Sequence, residues 1–170
     1  MRRVTLIRHA KSSWDNSHLK DEERPLNKRG RNNAPMMGER LASRGMKPDL
    51  LVSSPAIRAF ETAIAIAREI NYPTESILTD DRLYHANINN WFAVIGSLPE
   101  AAAHTLCFGH NPGLTHLFNV LSPHPVENVP TCGVMDFEFN VENWAEIAHA
   151  KPERIRYDYP KSSGMQEVLG

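Results

Sequence analysis

The chain has 170 residues, 41% of them hydrophobic, with 19 lysines and arginines against 20 aspartates and glutamates and a formal net charge of -1. That length suits one domain, here residues 1–170, with a sizeable core, and the apolar content excludes an intrinsically disordered chain. Balanced charge leaves no basic footprint for nonspecific nucleic-acid binding.

The two cysteines, Cys107 and Cys132, do not define a redox compartment by themselves. Cys107 lies in the apolar run Thr105-Leu106-Cys107-Phe108 and reads as a buried free thiol. The segment Met1 to Ile7 starts with charge, but its apolar run is too short for a secretory signal. No stretch approaches the ~20 apolar residues that span a bilayer. The expectation is a cytoplasmic protein with neither membrane nor nucleic acid as a partner.

Val4 to Ile7 reads as a buried first strand that ends at Arg8-His9. The polar stretch Lys11 to Arg24 follows as an ordered surface loop, and Asn27 then caps a helix over Lys28 to Ser43, closed near Arg44-Gly45. Pro35 inside that span argues for a break or kink. Leu50 to Ser53 is the second strand, and Ser54-Pro55 opens a helix from Ala56 to about Ile70 with Ile57, Phe60, Ile64 and Ala67 at helical spacing. Ser76 to Thr79 is a weak edge strand, and Ile88 to Leu98 a helix with Trp91, Phe92 and Ile95 on one side. Thr105 to Phe108 is another buried strand, followed by Gly109-His110-Asn111-Pro112-Gly113 and a helix over Leu114 to Leu121. Val134 to Val141 alternates, as does Arg154 to Tyr159, predicting a closing strand pair. The pattern predicts an α/β three-layer sandwich around one mixed, mostly parallel central sheet.

Three strand-to-loop junctions carry unusual polar residues: Arg8-His9, Ser53 to Arg58, and His110. Ligand sites in open α/β sheets form outside the carboxyl ends of the strands. If these strands are parallel neighbours, two arginines and two histidines converge there. Such a set suits a phosphoryl group. Arginine offers paired donors to phosphate oxygens and stays charged, while histidine serves as a neutral nucleophile or a cationic donor near neutral pH.

The run Leu6-Ile7-Arg8-His9-Ala10 resembles the R-H-G signature of the histidine phosphatase superfamily, the phosphoglycerate-mutase-like proteins. Ser53 to Ala63 is similar to the family's second motif, and Gly109-His110-Asn111-Pro112 to its third. Glu23-Arg24-Pro25-Leu26-Asn27-Lys28-Arg29-Gly30 resembles the R-P-L-x-x-x-G segment of the short SixA-type phosphohistidine phosphatases. The similarity runs from Met1 to about Phe139 and implies a phosphoglycerate-mutase-like fold. By position it implies that His9 is the nucleophile and that Arg8, Arg58 and His110 hold the equatorial phosphoryl oxygens. Arg24 corresponds to a further pocket arginine, and Thr131 to a hydroxyl residue near the pocket. Ala10 replaces the family's common glycine, a change in backbone freedom rather than in chemistry.

Larger members of the family protonate an alkyl-oxygen leaving group with a carboxylate between the second and third motifs. Here the stretch reads Asp80-Asp81-Arg82-Leu83-Tyr84-His85-Ala86-Asn87, with Tyr84 and His85 where an acid would stand. General-acid help is worth ~10²–10⁴-fold for a poor leaving group. Its lack favours phosphoramidates, or phosphate esters with good leaving groups. His85 is the candidate substitute, and Asp80 or Asp81 another if a loop delivers it. The substrate is then a phosphorylated protein, foremost one carrying phosphohistidine, or a small phosphorylated molecule. A small-metabolite phosphomonoesterase, a phosphomutase and a non-catalytic phosphate-binding module are the competing readings. No cofactor or metal is called for, since the sequence holds neither H-E-x-x-H nor C-x-x-C. Ser53 and Ser54 have helix capping as a sufficient role, and His18, His104, His116, His124 and His149 read as ordinary surface or core residues.

Overall fold

Val4 to Ile7 forms the interior of the first strand, β1 (Arg2–Arg8), in a computed structural model that describes residues 1–170. The chain continues through α1 (Lys28–Ser43), β2 (Leu50–Ser53), α2 (Ile57–Glu69), β3 (Leu78–Thr79), α3 (Ile88–Gly96), β4 (His104–Gly109) and α4 (Gly113–Leu121). It ends with β5 (Val134–Phe139), β6 (Arg154–Asp158) and β7 (Gln166–Glu167). All seven strands form one sheet in the order β3-β2-β4-β1-β5-β6-β7. β3, β2, β4 and β1 are mutually parallel, whereas β5, β6 and β7 are each antiparallel to the strand before them in the sheet. β6, reversed twice, runs with β1, so five of the seven strands share a direction. This is the three-layer sandwich around one mixed, mostly parallel sheet that the sequence pattern predicts.

Side-chain alternation sorts the core into two layers. Val4, Leu6, Val52 and Cys107 face α3 and α4, while Ile7, Leu51, Leu106 and Phe108 face α1 and α2. Burial on both faces explains why these strands read as continuous apolar runs. The handedness of the crossovers sets the helix layers. β1-α1-β2 and β2-α2-β3 step towards the β3 edge and β3-α3-β4 steps back, so right-handed connections place α3 on the opposite face from α1 and α2.

Local chemistry fixes α1. The Asn27 side chain accepts from the Gly30 amide at 2.9 Å, and Gly45 follows the helix at φ +73°, a conformation costly for other residues. Pro35 does not interrupt the helix. It removes one donor, but Ala34, Met37 and Leu41 are packed in the core around it and hold the helix straight through. At Gly30 a Cβ would lie 2.2 Å from the Lys11 carbonyl oxygen, so glycine lets α1 approach the loop after β1.

The tail differs from the sequence reading in two places. β6 is not the last strand, because β7 adds an exposed two-residue edge to it. A 3₁₀ turn at Trp144–His149, also unpredicted, buries Trp144 and Ile147 against the α3 layer. Between β1, β5 and β6 the sheet contains a buried ionic cluster. Asp136 accepts from Arg3 at 2.9 Å through each carboxylate oxygen and from the Thr5 hydroxyl at 2.7 Å, and pairs with Arg156 at 2.8 Å. No helix is long and apolar enough to cross a membrane.

Candidate active site

The register of the parallel strands brings the three junctions together. Arg8 is level with Gly109, and Ser53 with Phe108. Arg8-His9, Ser54 and His110 therefore leave the sheet side by side at its carboxyl edge. Hydrogen bonds extend one residue past the strands: the His9 amide donates to Gly109 O at 3.0 Å and Ser54 N to Phe108 O at 2.9 Å. Cys132 N donates to the His9 carbonyl at 3.0 Å, so the backbone of His9 is held from both sides.

The His9 ring makes one hydrogen bond, from Nδ1 to the Ala10 carbonyl at 2.7 Å. A carbonyl only accepts, so Nδ1 carries the proton and Nε2 keeps its lone pair. Burial pushes the His9 pKa down to about 3; the Ala10 bond opposes this and Arg58, Arg8 and Arg24 add to it. The ring is neutral at neutral pH. Ala10 is fully buried, and its amide donates to the Thr62 hydroxyl at 3.0 Å.

His110 packs against His9 with ring centres 5.1 Å apart. Its Nε2 is hydrogen-bonded to Ser54 Oγ at 2.7 Å, while Nδ1 is buried without a partner. Burial, then His9 and Arg58, push its pKa down to about 3. Ser54 also accepts from the Ala56 amide at 3.2 Å, one residue before α2.

Arg58 occupies the first turn of α2, where a cation opposes the helix dipole. Asp21 offsets that cost. Arg58 donates to the Asp21 carbonyl at 2.6 Å and to its carboxylate at 2.9 Å. The same carboxylate accepts from Arg24 at 3.0 Å and from the Tyr84 hydroxyl at 2.6 Å. Tyr84 foremost, then Arg58 and Arg24, hold Asp21 well below the usual carboxylate range against the opposing effect of burial. Tyr84 itself is pushed up to about 12, by burial and then by its bond to Asp21. Arg24 is buried and pinned by Ser13 O at 3.0 Å and Ser12 Oγ at 2.5 Å, and its guanidinium lies 3.3 Å from the centre of the Trp14 ring. Arg8 donates to Val129 O at 2.9 Å, and its buried Nε has no partner.

A cleft of about 510 Å³ opens over this edge, and Arg24, Arg58, His85 and His110 line it. His9 adjoins it through His110, and Arg8 reaches the neighbouring Val129 loop. His85 has φ +58° and its ring lies 4.0 Å from that of Tyr84. Thr131 does not line the cleft, and neither do Arg8 and His9; the Thr131 hydroxyl makes no hydrogen bond to the site residues, while the amide of its neighbour Cys132 donates to the His9 carbonyl. Asp80 also stays away, capping a 3₁₀ turn and pairing with Arg82 at 2.7 Å. Asp21 and Trp14 are site or rim residues that the sequence reading left out, and Ser54 and His116, read there as a helix cap and an ordinary residue, join them. Only Asp21 left a signal, as an acid three residues before Arg24.

The protein resembles known chains in sequence and shape. The profile described as "Histidine phosphatase superfamily (branch 1)" matches residues 4–95. An uncharacterized chloroplastic protein of Arabidopsis thaliana is 30% identical over 85% of this chain and 70% of its own. The crystal structure of the putative phosphohistidine phosphatase SixA from Agrobacterium tumefaciens superposes with TM-score 0.73 at 28% identity, covering 80% of this chain and 90% of that one. A tungstate complex of the protein histidine phosphatase SixA shares the fold, with TM-score 0.75 at 19% identity over 98% of this chain and 97% of that one. With the strand-end histidines and arginines in place, the chain belongs to the histidine phosphatase superfamily, branch 1.

Proposed function

We propose that the protein is a phosphatase that works through a phosphohistidine formed on His9 and prefers phosphoramidates, foremost phosphohistidine on a protein. The observation that carries this reading is the His9 ring: proton fixed on Nδ1 by Ala10 O, lone pair free on Nε2, and pKa pushed down to about 3. A neutral, oriented imidazole is a nucleophile without further activation.

In the first step His9 Nε2 attacks phosphorus and the bond to the leaving group breaks. A phosphohistidine substrate protonated on its other ring nitrogen leaves as neutral imidazole and needs no acid from the enzyme. Water then attacks the phospho-His9 intermediate, forming inorganic phosphate, losing a proton and restoring His9. Arg58 and Arg8 supply fixed positive charge for the oxygens in both steps. If the Ser54 hydroxyl donates to Nε2, neutral His110 carries its proton on Nδ1, the buried nitrogen without a protein partner. A phosphoryl oxygen would complete it.

Substrate class follows from the shortage of carboxylic acids. Asp21 is the carboxylate in the cleft lining, and it is ionised and bonded to two arginines and a tyrosine. It has no proton to give to an alkoxide. The Tyr84 hydroxyl is already committed to Asp21, with its pKa at about 12. Both facts support P–N substrates, or phosphate esters with good leaving groups, over alkyl phosphates. The likeness to SixA structures supports the same choice.

The test is trapping with labelled phosphohistidine protein and with p-nitrophenyl phosphate, wild type against His9→Ala. An acid-labile, base-stable label on wild type only is expected. Label persisting in His9→Ala overturns the nucleophile assignment, and faster turnover of alkyl phosphates than of phosphohistidine overturns the substrate preference.

A further inference from the structure

We infer that Trp14 is a specificity residue, a stacking platform for the leaving group, and that the leaving group is a flat ring. The inference rests on the phosphatase reading of the His9 site and adds to it what lies beyond the phosphorus atom.

Trp14 is 72% exposed, yet it belongs to an ordered part of the loop after β1. Ser12 bridges to Leu26, the Ser13 amide donates to Pro25 O at 2.8 Å, and the Ser13 carbonyl accepts from Arg24 at 3.0 Å. One indole face is covered by the Arg24 guanidinium, 3.3 Å from the ring centre. That guanidinium is pinned through its edges by Ser13, Asp21 and Ser12, so the stack has a fixed orientation.

The high exposure leaves the other indole face open, and Trp14 lines the same cleft as Arg58 and His110. The substituent of a phosphoryl group bound by Arg58 and His110 therefore lies in a cleft that Trp14 also lines. An exposed tryptophan on a rigid mount gains from covering its open face, and a planar ring covers it best. An imidazole or a phenyl ring fits; a small acyclic carboxylic acid forgoes the stacking. His85 and His116 also line the cleft and present further rings to such a group.

Three substrates separate this role from a structural one: phosphohistidine, p-nitrophenyl phosphate, and phosphoramidate, which has the P–N bond without a ring. Trp14→Ala is expected to lower kcat/KM about tenfold for the two ring-bearing substrates, mainly through KM. Turnover of phosphoramidate and inhibition by inorganic phosphate should stay within about twofold of wild type, and Trp14→Phe should restore most of the loss. Equal loss on phosphoramidate, or weaker inhibition by phosphate, would mean that Trp14 acts by holding Arg24, and the proposal fails. Unchanged turnover of the ring-bearing substrates also sinks it. Failure of the underlying phosphatase reading looks different: wild type then turns over none of the three, and the proposal falls with it.

Discussion

Asp21 binds Arg58 twice, through its carboxylate at 2.9 Å and its own carbonyl at 2.6 Å, across 37 positions of sequence. This pairing joins the loop after β1 to the first turn of α2. Because Arg24 and Tyr84 share the carboxylate, one acidic residue sets the placement of two cations and an aromatic ring.

Removing that carboxylate should loosen the phosphate site without removing the nucleophile. A hydrogen bond between charged groups is worth about 1.5–3 kcal/mol, so Asp21→Ala is expected to raise KM for p-nitrophenyl phosphate about ten- to a hundredfold. Label on His9 should still form in a single turnover. Steady-state kinetics beside rapid-quench trapping checks this. An unchanged KM would show that the remaining contacts of the two arginines are enough to place them.

Ser54 serves two elements at once, ordering the His110 ring and accepting from the Ala56 amide. Ser54→Ala is expected to cost about 1 kcal/mol of stability through the lost bond to the Ala56 amide and about tenfold in kcat/KM through the freed imidazole. Denaturant unfolding and kinetics on one preparation separate the two effects. Lost stability with full activity would leave Ser54 a structural residue alone; it does not cap α2, whose N-cap is Ala56.

Stability should fall in mild acid. His9 and His110 are pushed down to about 3 and His104 to about 4, each from 6.5 and each chiefly by burial. Between those values and 6.5 the unfolded chain binds more protons than the folded one, so stability rises with pH in that window and levels off above it. Each group contributes a slope of up to about 1.4 kcal/mol per pH unit. The depressed carboxylates Asp21 and Asp136 act lower: their contribution is present above the ordinary carboxylate range and is lost as pH falls through their folded values. Urea unfolding at pH 7.5, 6 and 5 should show the decline, and His104→Gln should make it shallower.

The buried cluster around Asp136 is expected to matter for stability and little for chemistry. Arg3, Arg156 and Thr5 hold its carboxylate low although burial alone would raise it. Asp136→Asn removes the buried anion that Arg3 and Arg156 share, leaving Arg156 its bond to Glu138 at 2.5 Å, and should cost about 1.5–3 kcal/mol, seen as a fall in Tm. Asp136 pairs with Thr5 at the middle of β1, in the sheet and not at the edge that carries His9, so kcat/KM at low temperature should change less than twofold. A Tm within a degree of wild type would rule out the stabilising role.

Much of the fold was legible because it is written in local chemistry. Asn27 and Gly45 bound α1, and the apolar runs of β1, β2 and β4 announce strands buried on both faces. Pro35 misled because a helix packed on a core tolerates one missing hydrogen bond. β7 escaped notice because Gln166–Glu167 is short, polar and exposed and has no pattern to read.

The sequence by itself determined which chemistry could be assembled. Arg8, His9, Arg58 and His110 sit at strand ends or in a first helical turn, and parallel strands in register must bring such positions to one edge. Only the tertiary structure decided how they are tuned. The Ser54–His110 bond and the grip of Asp21 on Arg58 and Tyr84 depend on contacts between segments distant in the chain. The burial that keeps His9 neutral depends on the packing around it, although the bond that fixes its proton is to the neighbouring Ala10. Hydrogen bonds and desolvation act over a few ångströms in space, and linear order does not specify those distances.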